Sequence, residues 1–118
     1  MAISQAICSS FKKELLEGKH NFTASSGNTF KLAMFTSSAS LGAATTAYAS
    51  SGINETTGTN YPAGGGTLSP ATPTLVGTTG ITDFADLTFS TATVTANGAM
   101  IYNDTNSDRA VCILAFGA

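Results

Sequence analysis

The sequence predicts a mainly β chain, a β-sandwich or jelly-roll-like barrel with one N-terminal α-helix. Three observations predict it. The 118 residues include 19 Thr, 13 Ser and 12 Gly, a composition of strands joined by polar turns and poor in long helix formers. Residues 29–36 alternate as a strand does, with Phe30, Leu32 and Met34 on one face and Thr29, Lys31 and Ala33 on the other. Residues 110–116 are almost wholly apolar, as a strand covered on both sides is. The length fits one β-rich domain over 1–118.

The helix is expected over residues 4–17. Ser4 is placed to cap it, Ile3, Ile7, Phe11 and Leu15 recur every four residues, and Gly18 is placed to end it. Lys12, Lys13, Glu14 and Glu17 fall on its wetter side. Ser25 to Asn28 give a turn signal before the strand at 29–36. Residues 37–80 are expected as an extended small-residue loop region holding short strands, in which Tyr48, Ile53 and Tyr61 are the large apolar anchors. A β-meander is expected over 81–116. Its strands are 81–89, 92–96, 99–103 and 110–116, with Asn97-Gly98 as a hairpin turn and 104–109 as a polar loop.

Charge is scarce. Charged residues make up 10% of the chain, against roughly 25% in an average domain. No Lys or Arg lies between Lys31 and Arg109, and the net charge is -2. Nucleic acid is therefore not an expected partner, since phosphate binding needs clustered cations. No stretch approaches the roughly 18 apolar residues of a membrane span, and residues 1–10 do not read as a signal peptide. A surface of Ser, Thr, Gly and Ala is cheap to desolvate and suits protein–protein contact as well as plain solvation. For Cys8 and Cys112 a disulfide stays open, with two buried thiols favoured in a reducing cytosol.

The sequence predicts no catalytic, cofactor or metal site. His20 has no nucleophile or acid at a recognisable spacing and reads as a solvated or capping histidine. Gly64-Gly65-Gly66 lacks the Lys and helix of a phosphate loop. Asp104, Asn106 and Asp108 alternate as a calcium loop begins, but Arg109 stands where that loop needs Gly, so a plain turn is expected. Asp83 and Asp86 would point to opposite faces of a strand. With no Trp, a glycan-binding platform is the weaker reading.

Several segments carry a resemblance. They are Ile7 to Leu16 (Ile-Cys-Ser-Ser-Phe-Lys-Lys-Glu-Leu-Leu), His20-Asn21-Phe22, Thr29 to Ala33, Gly58 to Gly65, Asp83 to Asp86, Gly98 to Asn103 and Arg109-Ala110-Val111. Together they resemble a family of small virion structural proteins of tailed bacteriophages. The resemblance implies a non-enzymatic virion subunit, made in the host cytoplasm and placed on the capsid surface as a decoration or cement protein. A tail, neck or connector subunit is the alternative. The implied partners are further copies of the chain, as a trimer or other small oligomer, and the major capsid protein. From the residues themselves, the expected contact residues are Ile7, Phe11 and Leu15 on the helix and Tyr48, Ile53 and Tyr61 in the loop region.

Overall fold

The computed structural model describes residues 3–48 and 54–116. The protein is mainly β: among the described residues 39% lie in strands or bridges, with one short N-terminal helix and two antiparallel sheets in a sandwich-like arrangement. In chain order the elements are β1 (Ala6–Ile7), α1 (Ser9–Leu16), β2 (Phe30–Phe35), β3 (Gly66–Leu68), β4 (Pro70–Val76), β5 (Thr79–Phe84), β6 (Gly98–Asn103) and β7 (Arg109–Ala115). Five strands form one sheet in the order β1-β7-β6-β2-β3, while β4 and β5 form a separate hairpin.

The helix is shorter than its apolar spacing predicts. Ile3 bridges Leu41, and Ala6 and Ile7 pair with Ile113 and Cys112. Cross-strand hydrogen bonds thus claim the backbone that the four-residue repeat had assigned to a first helical turn. Ser4 caps nothing. Cys8 holds the N-cap position without a side-chain capping bond, its thiol donating to the Gly42 carbonyl instead, and its carbonyl accepts from the amides of Phe11 and Lys12. The other end is as expected, with Gly18 at φ +74.

The strand expected at 29–36 forms as β2 with the predicted alternation, but neither of its faces is open to water. Phe30 is buried on one face, and Ala33 and Phe35 on the other. On the Phe30 face lie α1, Phe22 and the hairpin, where Phe22 stacks on Phe30 at 4.3 Å and Phe84 sits 5.8 Å from it. On the Phe35 face lies the chain from Thr36 onward, including Ala39 and Tyr48. The apolar run at 110–116 forms β7, which pairs with β6 along its length.

The meander differs in its first half. Within the expected strand at 92–96 only Thr93 makes a bridge, to Thr59. Asn97-Gly98 is not a hairpin turn, because the Asn97 amide donates to the Phe35 carbonyl and its own carbonyl accepts from Phe116. Gly98 then opens β6, which pairs with β2 and β7. Residues 70–84, expected as loop and strand, form the β4–β5 hairpin. Its two prolines are tolerated because β4 has a free outer edge.

Candidate interaction surface

An apolar groove of about 410 Å³ runs between α1 and the hairpin. Ile101, Val111 and Cys112, from the paired strands β6 and β7, supply its floor, and Ile7 of β1 with Phe11 and Leu15 of α1 supplies one wall. Pro73, Gly80, Ile81, Thr82 and Phe84 of the hairpin line the other side, and Phe22 also contributes. No charged side chain lines it.

Ile7, Phe11 and Leu15 meet on one surface, although not as one helical stripe. Ile7 reaches the groove from a strand and Leu15 from the last turn of α1. Phe11 is buried, while Ile7 and Leu15 are about half-exposed. The groove's far wall was not legible in the sequence. Ile81 and Phe84 fall in a Thr- and Gly-rich stretch, and only the pairing of β4 with β5 places them beside the groove.

Behind the helix lies a polar clasp. Glu14, placed by the sequence on the wetter side, is 6% exposed. Its carboxylate meets His20 Nε2 at 2.8 Å and accepts from Arg109 Nη1 at 3.1 Å. His20 is buried rather than solvated, and Asn103 Nδ2 donates to its Nδ1 at 3.0 Å. Nε2 is then the nitrogen that donates to Glu14. Both ring nitrogens are spent on joining α1 to β6, Arg109 joins the same Glu14 to β7, and the His20 side chain is fully buried.

Tyr48 and Tyr61 come together elsewhere, on the face of β6 that carries Tyr102. Glu55 gathers them: Oε1 accepts from Tyr48 at 2.6 Å, and Oε2 accepts from Tyr61 at 2.8 Å and from the Gly64 amide at 2.8 Å. The Tyr61 hydroxyl also accepts from the Met34 amide, and the Tyr102 hydroxyl donates to the Gly64 carbonyl. Burial and the Glu55 carboxylate push the phenols of Tyr48 and Tyr61 well above the ordinary tyrosine range, and burial does the same for Tyr102. Tyr61 is buried, so it offers no exposed apolar area, and Tyr48 is half-buried with its hydroxyl engaged. Ile53 lies outside the described residues. The glycine triple has its reason here. A Cβ on Gly65, at φ +81, would stand 1.8 Å from the Leu32 carbonyl oxygen, so only glycine lets the loop cross β2 this closely.

Comparison of the chain with protein-family models, with curated proteins and with solved structures finds no match. The groove and the hairpin beside it are the features that bear on function. Leu75 and Val76 at the hairpin tip are 75% and 62% exposed. Cys8 and Cys112 are free thiols, and burial with the neighbouring Cys112 and Glu14 pushes the Cys8 thiol up to about 11. Among the described residues no helix is long and apolar enough to cross a membrane, and no cluster of three metal-ligating side chains occurs.

Proposed function

We propose that this chain is a non-enzymatic structural subunit of a tailed-phage virion, a decoration or cement protein on the outside of the head shell. Its partners are copies of itself and the major capsid protein. The observation that carries the reading is the β4–β5 hairpin. It is a neutral arm with Leu75 and Val76 bare at its tip, held beside an apolar groove on a body whose strands β2 and β6 are mostly buried. Such a body with such an arm suits a subunit that ties neighbours together without chemistry. Each contact is small, and many copies on one lattice add up by multivalency. The resemblance of the segments from Ile7 to Val111 to small virion proteins supports the same reading.

The test is made on virions of the phage whose genome carries this sequence. Peptide mass analysis of purified particles asks whether the chain is a component, and gold-labelled antibody imaged by electron microscopy asks where. Label spread over the head fits a decoration protein. Label at the tail or neck replaces it with a tail or connector subunit. Particles that lack the chain overturn the virion role.

A further inference from the structure

The two buried residues of α1 are Phe11 and Glu14, and both rest on His20. Glu14 Oε1 meets His20 Nε2 at 2.8 Å, and the Phe11 ring lies 4.8 Å from the His20 ring. The other residues of α1 are exposed or half-buried. A helix of 8 residues has little stability of its own, so its hold on the sheet is what keeps it formed. That hold runs through one imidazole.

Backbone groups fix the hydrogens around the ring. Asn103 Nδ2 faces the Lys19 carbonyl at 3.3 Å, which only accepts, and Asn103 Oδ1 faces the Asn106 amide at 3.2 Å, which only donates. The Asn103 side chain therefore cannot turn over, and it points an N–H at His20 Nδ1. Nδ1 is held as a bare acceptor. The charges around it agree. The Glu14 carboxylate already has the Arg109 guanidinium as its counter-ion. Lys19 turns its ammonium to Glu17, β2 presents the Phe30 ring, and the Cys8 thiol near Glu14, pushed up to about 11, stays neutral. A proton on Nδ1 would set N–H against N–H and place a second positive charge beside one carboxylate.

We propose that His20 is an acid-operated catch, and that protonation at Nδ1 expels the ring from the clasp and frees α1 from the sheet. Phe11 and Leu15 leave with the helix, so one wall of the apolar groove is dismantled. The released ring takes up its proton near the ordinary histidine value, about 6.5, so acid favours the released state and neutral pH the closed one. The inference stands apart from the virion role, since it concerns the isolated chain in solution.

The test is amide hydrogen exchange on the full chain, followed by NMR and corrected for intrinsic rates. Between pH 7.5 and pH 5 the protection of the amides from Lys12 to Glu17 is expected to fall about thirtyfold, the ratio given by a released histidine that titrates near 6.5, while the β6 amides keep theirs. His20→Gln, which offers a neutral donor and acceptor at every pH, is expected to remove the dependence. In the unmutated chain the ring nitrogen shifts are expected to show the neutral Nε2–H form for as long as α1 is protected. Protection of α1 that stays flat across this range, that falls only in step with β6, or that still falls in His20→Gln overturns the proposal. So does an imidazolium signal from a chain whose α1 remains protected.

Discussion

Tyr48 stacks on Tyr102 with ring centroids 4.5 Å apart and planes within 8° of parallel. The pair joins a loop residue to the central strand β6, and Glu55 joins the Tyr48 hydroxyl to Tyr61 and to Gly64. The loop region is therefore fastened to the sheet by one carboxylate and three phenols.

That fastening sets an alkaline limit. The chain has 3 Tyr and no Trp, so absorbance at 295 nm reports these phenols alone. All three are held above their ordinary value in the folded chain. A group raised on folding contributes stability that is complete below its unfolded value, about 10 for tyrosine, and that fades as pH climbs above it. Phenolate absorbance is expected to stay low above pH 10 and then to rise together with the loss of β-sheet circular dichroism. Glu55→Ala strands buried donors and is expected to cost about 2–4 kcal/mol in urea unfolding. Phenols that ionise near pH 10 in the intact fold would contradict this account.

Gly65 and Gly77 separate crowding from backbone conformation. Both have positive φ, at +81 and +61. A Cβ on Gly65 meets the backbone of Leu32, and one on Gly77 meets nothing within 4 Å. Gly77→Ala is expected to cost about 1–2 kcal/mol from the left-handed backbone alone. Gly65→Ala should cost about 3 kcal/mol or more, since backbone must move as well. Equal melting temperatures for the two variants would remove the close crossing over β2.

Phe11 and Leu16 make a second pair. Phe11 is buried against His20 and Phe22, with ring centroids 4.8 and 6.0 Å away. Leu16, in the same helix, is 91% exposed. Phe11→Ala is expected to destabilise by about 3–5 kcal/mol, and Leu16→Ala by less than about 0.5 kcal/mol. Chemical denaturation of both variants checks the assignment of faces on α1.

Asp108 gives a prediction of opposite sign. Burial and then the Asp104 carboxyl beside it hold its acid above the ordinary aspartate range, against a smaller pull from Lys31. Its folded value is raised, so it favours the fold in acid, and that contribution is lost as pH rises through the folded value. At pH 7 the ionised carboxylate is a liability. Asp108→Asn keeps a residue suited to its φ of +55 and is expected to raise the melting temperature at pH 7, with the gain gone by pH 3. A calcium-dependent rise in melting temperature, abolished by Asp104→Ala, would instead make the turn a metal loop.

Strands whose side-chain period matches their burial were legible. The predicted segments at 29–36, 99–103 and 110–116 appear as β2, β6 and β7 with ends shifted by a residue or two. What failed was decided by distant partners. The repeat through Ile3 and Ile7 imitates a helix, yet Ile3 bridges Leu41 and Ile7 pairs with Cys112. Asn97-Gly98 is a sound local turn signal, overruled because the Asn97 amide belongs to Phe35. Glu14 looked like a solvated charge because Arg109, its partner, lies 95 residues away. The same holds for His20 and Asn103. Of the groove, the wall from Ile7, Phe11 and Leu15 was readable, while the hairpin wall was hidden by a run of Thr, Gly and Pro that gives a strand reading little support.

The pairing of β1 with β7 bears on when the chain becomes competent to assemble. The Gln5 side chain accepts from the Ala115 amide, 110 residues further on, and Cys8 bonds to Val111 through its backbone. During synthesis α1 emerges well before the strand that anchors it, which follows by about 100 residues. Loop closure over that span comes late in folding, so the groove wall from Ile7, Phe11 and Leu15 is not set in place until β7 exists. The hairpin, by contrast, closes on itself through local contacts. A nascent chain thus closes its hairpin before the opposite wall of the groove is in place.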